Sequence, residues 1–94
     1  MDFEFYRNFI TVAETGNLTT ASKKLALAQP ALSAQIKTLE HYYGAKLIQT
    51  ARGKRQLTLT EAGEAFLGKA RQICRTEETI LLDMQSFNKK ASGT

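Results

Sequence analysis

Apolar positions recur along this chain in four helical stripes, interrupted once by short β-compatible runs. Phe5, Phe9, Val12 and Ala13 share one face, broadened by Tyr6 and Ile10, and Gly16 follows where a helix most readily stops. Leu18, Ala21 and Leu25 recur at i, i+3, i+7 behind Asn17, whose side chain suits a helix cap. Leu32, Ile36, Leu39 and Tyr43 recur at i, i+4, i+7, i+11. Between these two stripes lie only Ala26, Leu27, Ala28 and Gln29, and then Pro30, the sole proline. Proline suits the first helical position, where its missing N–H would be unpaired anyway, so a helix is expected to start at Pro30 with Gln29 as its cap.

After Gly44 the pattern changes. Leu47-Ile48 and Leu57-Thr58-Leu59 favour strands, and the polar stretch between them turns at Arg52-Gly53-Lys54-Arg55. Helical periodicity resumes at Thr60, a capping residue followed by Glu61 and Glu64 near the positive end of the helix dipole. The seam of this helix is Gly63, Phe66, Ala70, Ile73, Ile80, Met84 and Phe87, in alternating threes and fours with Glu77 as one polar layer that sets register. About 28 residues at roughly 1.5 Å each extend about 42 Å, against a radius of gyration of about 13 Å for a compact domain of this size. The helix must overrun its domain, so the seam is expected to meet a second copy of the chain. Leu67, Cys74 and Leu81 form a neighbouring stripe suited to the globular part or to widening that contact. The expected organisation is mainly α: residues 1–60 as three helices with a two-stranded hairpin, 61–88 as a long dimerisation helix, and 89–94 as a flexible tail.

Charge sharpens this picture. The net charge is +4, and within residues 15–60 Lys23, Lys24, Lys37, Lys46, Arg52, Lys54 and Arg55 face one acid, Glu40. A local basic surface of this kind favours a polyanion. Two short helices joined tightly, with almost no acid between them, present one helix end as a protein does to the major groove of DNA. The single cysteine excludes an intramolecular disulfide and a multi-cysteine zinc site. No stretch approaches membrane-spanning length and no signal-peptide pattern opens the chain, which reads as cytoplasmic. His41, late in a helix, suits the dipole, and Cys74 suits a small core position. No carboxylate pair, nucleophile beside a histidine or glycine-rich phosphate loop can be assembled, so an enzyme is not expected.

Gln29-Pro30-Ala31-Leu32-Ser33, then Gln35-Ile36, Leu39-Glu40 and Gly44, with Leu57-Thr58-Leu59-Thr60-Glu61-Ala62-Gly63 downstream, resemble the N-terminal winged helix-turn-helix domain of LysR-type transcriptional regulators. The resemblance runs from about Phe3 to the end of the chain. It implies a bacterial, sequence-specific binder of double-stranded DNA, homodimeric through the long helix, in a family whose longer proteins are commonly tetramers. The second helix of the motif would be the recognition helix. Gln29 and Ser33 would address base edges or nearby phosphates, Pro30 and Ala31 would make van der Waals contact, and Ala34 is too short for a polar one. Lys37 and the helix N-terminus would hold phosphates, and Arg52, Lys54 and Arg55 would reach the backbone and the adjacent minor groove. Phe66, Ala70, Ile73, Glu77, Ile80, Met84 and Phe87 would form the dimer contact. Ala28 replaces the usual serine before Gln-Pro, and Thr50 stands where the family has an arginine, so Arg52 takes its part or the contact is lost. No cofactor is expected in this chain, since the family's small-molecule effector binds a following domain. A non-specific DNA binder and a winged-helix protein-interaction module are the competing readings.

Overall fold

The computed structural model describes residues 2–50 and 56–92. Its elements follow in the order α1 (Phe3–Thr15), α2 (Leu18–Leu25), α3 (Gln29–Tyr43), β1 (Ile48–Thr50), β2 (Leu57–Leu59) and α4 (Glu61–Ser92). Three helices, a two-stranded wing and one long helix match the expected architecture. Arg52, Lys54 and Arg55 lie outside the described residues.

Helix ends are set by local chemistry. Asn17 Oδ1 accepts from the Thr20 N–H at 3.0 Å, capping α2. Gly16 and Gly44 close α1 and α3 in the left-handed region, with φ of 66° and 67°. At the start of α3 the expectation is corrected by one residue: Ala28 is the cap, makes no side-chain capping bond, and leaves Gln29 inside the first turn. Ala28 acts through its backbone, its carbonyl accepting the Leu32 N–H at 3.1 Å. Thr60 caps α4, its hydroxyl oxygen accepting the Gly63 N–H at 2.9 Å while donating to the Lys46 carbonyl at 2.5 Å.

Phe9 and Val12 of α1, Ala21 of α2, and Leu32, Ile36 and Leu39 of α3 converge on one core. Leu47 and Leu57 close it from the wing, and Ala70 and Cys74 close it from α4. Phe66 meets Phe9 edge to face at 4.9 Å between ring centroids, a favoured aromatic geometry. Burial pushes the Cys74 thiol up, in keeping with a core role. The Tyr43 hydroxyl, 2.5 Å from that of Tyr6, and then burial push the Tyr6 phenol up to about 12. In the wing, Ile48, Gln49 and Thr50 pair antiparallel with Leu59, Thr58 and Leu57. The Leu57 N–H also donates to the Gly16 carbonyl at 2.9 Å, so β2 is tied to the junction of α1 and α2.

Two expectations for α4 change. The helix runs to Ser92, through most of the stretch read as a tail from residue 89. Asn88-Lys89-Lys90-Ala91-Ser92 contains neither glycine nor proline, and lysine and alanine favour helix. The seam, expected to be unpartnered from Phe66 to Phe87, is divided. Ala70 is 1% exposed in the chain's own core, and Phe66 and Ile73 pack against that core. Glu77 is ion-paired with Arg7 of α1, so the polar layer has a partner in its own chain. The reason is that α1 lies along the first half of α4. Beyond it Ile80, Leu81, Leu82, Met84 and Phe87 are all exposed. The overhang gives the chain extents of 62 × 26 × 19 Å.

Candidate nucleic-acid interface

The site is built on the α2–α3 turn. Ala26 takes φ 55°, the one non-glycine left-handed residue among those described, a conformation costing an L-residue about 1–2 kcal/mol. The turn is held by the Leu27 N–H donating to the Ser22 carbonyl at 3.0 Å. Because Leu32, Ile36 and Leu39 are buried, helical geometry turns the opposite side of α3 outward. Pro30, Ala31, Ala34 and Lys37 are exposed there, Ser33 is half-buried, and Gln29, in the same stripe as Leu32 and Ile36, is exposed at the start of the helix. The structure therefore brings together all six sequence-predicted residues of α3.

Beside this face, α3 and β1 enclose a groove of about 440 Å³. Ser33, Lys37, Lys46, Gln49 and Thr50 line it, over a floor that includes Leu18, Ile36 and Ile48. Glu40 also borders the groove, but its carboxylate accepts the Leu47 N–H at 2.7 Å and the Ile48 N–H at 3.3 Å. The one acid of the basic stretch is thus committed to the backbone where β1 begins. Lys37 and Lys46 form no salt bridge among the described residues. Their charge stays available to an anion in the groove. Thr50, at the position of the family arginine, lines the groove with a hydroxyl and no charge.

Three features escape sequence reasoning. Lys46 and Gln49 join the groove only because β1 folds back beside α3. Asn8, 3% exposed, donates to Gln35 Oε1 at 2.7 Å and ties α1 to the recognition helix. Thr19 Oγ1 of α2 donates to Gln29 Oε1 at 3.1 Å. Helical periodicity places Asn8 among the polar positions of an amphipathic helix, and no spacing rule links Thr19 to Gln29.

A second, apolar groove of about 380 Å³ lies between the N-terminus of α1 and α4, lined by Phe3, Ile73 and Ile80 with Thr76 and Glu77. Phe3, 44% exposed, extends the apolar face of Ile80, Met84 and Phe87. Among the described residues no helix is long and apolar enough to cross a membrane.

Comparison with known proteins agrees with this geometry. The HTH-type transcriptional regulator BsdA of Bacillus subtilis is 39% identical over 94 residues, which is 100% of this chain and 32% of that protein. The Hca operon transcriptional activator HcaR of Escherichia coli is 42% identical over 82 residues, 87% of this chain and 27% of that protein. The chain therefore spans about a third or less of these relatives. Among solved structures, the CbnR_DBD–DNA complex aligns with a TM-score of 0.77 and 34% identity over 100% of both chains. The BenM_DBD/benA site 1 DNA complex aligns with a TM-score of 0.84 and 31% identity over 93% of this chain and 99% of that one. Residues 3–64 match the model of the bacterial regulatory helix-turn-helix proteins of the lysR family, and the chain belongs to that family.

Proposed function

We propose that this chain is the DNA-binding domain of a bacterial LysR-type transcriptional regulator and recognises a specific double-stranded operator as a homodimer. The observation that carries this reading is the exposed first turns of α3 beside a groove holding Lys37 and Lys46, with Glu40 turned into the backbone. Gln29 and Ser33 address base edges, Pro30 and Ala31 fill the contact, and Lys37 with the α3 N-terminus holds phosphates. Arg52, Lys54 and Arg55 reach the backbone from the wing. Ile80, Met84 and Phe87 join two copies, and a two-fold dimer addresses two half-sites. In a longer cytoplasmic protein an effector-binding domain follows this one and tetramers assemble. The chain has no catalytic role in this reading.

Competition between a sequence selected from a random pool and bulk DNA tests the proposal. The selected site is expected to win by about a thousandfold or more. A ratio near one assigns the chain to non-specific DNA binding, and no DNA binding assigns it to protein interaction. Gln29→Ala is expected to cost about 1–3 kcal/mol on the selected site and to flatten discrimination at one position in each half-site. Uniform weakening on every sequence would instead make Gln29 a backbone contact. Alanine at Lys54 and Arg55 is expected to weaken all sequences alike and to lower the salt slope by about one unit for each lost phosphate contact. An unchanged slope removes the wing tip from the interface.

A further inference from the structure

Gln29 is exposed, yet its carboxamide is not free to rotate without loss. The Thr19 hydroxyl donates to its Oε1 at 3.1 Å. Thr19 comes from a rigid support: it lies in the first turn of α2, which Asn17 caps through the Thr20 N–H. Its own carbonyl accepts from the Ser22 hydroxyl at 2.8 Å. Gln29 is equally constrained, in the first turn of α3 behind the short Ala26–Ala28 connection. Two helices of the motif are thereby joined by one side-chain hydrogen bond at the end that faces outward.

The carbonyl oxygen of a carboxamide has two lone pairs, and the amide nitrogen beside it on the same planar carbon has two hydrogens. The Thr19 hydroxyl takes one lone pair of Oε1 and leaves the other, with Nε2, free to meet a partner together. We propose that Thr19 is a specificity-determining positioning residue, which fixes the Gln29 carboxamide so that Oε1 and Nε2 meet the major groove side by side. This rests on the DNA-binding reading above and adds the base that Gln29 selects. Adenine presents N7 beside an amino donor, which match Nε2 and Oε1 in a bidentate pair. Guanine presents two acceptors, N7 and O6, so Oε1 would face an acceptor unless the carboxamide turned away from Thr19. Cytosine presents only its amino donor there. At the position read by Gln29, adenine is therefore preferred over guanine and cytosine.

The test measures binding of the full chain to the selected site with all four bases at the Gln29-dependent position, for wild type, Thr19→Val, Thr19→Ser, Gln29→Ala and the Thr19→Val/Gln29→Ala double variant. Valine keeps the shape of threonine without its hydroxyl. Thr19→Val is expected to reduce the preference for adenine over guanine by about 3- to 10-fold, the range of one neutral hydrogen bond. Thr19→Ser retains the preference. In the Gln29→Ala background Thr19→Val changes nothing further, because the two residues act as one unit. Wild-type preference for guanine, equal weakening of all sequences by Thr19→Val, or an undiminished effect in the Gln29→Ala background overturns the proposal. The side-chain amide resonances of Gln29 in the DNA-free chain give a separate readout. They are expected to move with Thr19→Val and to stay with Thr19→Ser. Unmoved resonances overturn the proposal whatever the DNA result. If they move as expected while wild type shows no sequence preference, the hydrogen bond stands, and both the DNA-binding reading and the base selection built on it fall.

Discussion

Gly63→Ala is expected to destabilise the domain by about 1–3 kcal/mol, although alanine within a helix ordinarily gains about 0.5–1 kcal/mol over glycine. A Cβ at Gly63 would stand 2.0 Å from the Leu47 carbonyl oxygen and 3.2 Å from Leu59 Cβ. The obstacle is backbone, and it is held in place, since the Leu47 carbonyl also accepts the Thr60 N–H at 3.0 Å. Relief requires α4 to move off the base of the wing. Gly68, in the same helix, has nothing within 4 Å of its added Cβ. Gly68→Ala should therefore show the ordinary gain. Urea denaturation of both variants checks the contrast, and a shift of the same sign in both would sink the steric account. Gly63→Ala should also weaken DNA binding beyond its effect on stability, because β1 and the groove beside α3 share that contact.

The second large effect concerns the dimer. Ile80→Asp is expected to abolish self-association, since an unpaired charge in an apolar contact commonly costs about 3–5 kcal/mol and a two-fold interface contains the residue twice. Ile80 is 52% exposed in the single chain, so its replacement leaves the domain core untouched. Ile73→Asp should behave differently. Ile73 packs against the core, and the charge there is expected to lower the unfolding free energy of each protomer. Sedimentation equilibrium with denaturation of each variant separates the two outcomes. A wild-type chain that is monomeric at high micromolar concentration, or an Ile80→Asp chain that still dimerises, would overturn the assignment of Ile80 to the interface.

The recognition helix is legible in the sequence because its signals are local. Leu32, Ile36 and Leu39 mark the inward face by spacing alone, and their burial leaves Pro30, Ala31, Ala34 and Lys37 outside, with Gln29 exposed at the helix start. The cap of α3 lies one residue before its expected position for an equally local reason. Proline is tolerated at more than one position of a first turn, where N–H groups lack intrahelical partners, so Pro30 marks the start of the helix without fixing its first residue.

Periodicity and capping chemistry act over a few residues, and by themselves they determined the four helices, the strand pair and the outward face of α3. Which surface covers an apolar stripe depends on what the fold brings beside it. Phe66, Ala70 and Ile73 continue the same stripe as Ile80, Met84 and Phe87, and only the position of α1 divides that stripe between the chain's own core and an exposed end. Glu77 finds Arg7, Gly63 finds the Leu47 carbonyl, and Gln29 finds Thr19 by the same route. These contacts join residues far apart in the chain whose types carry no mark of one another, so the tertiary structure alone decided them.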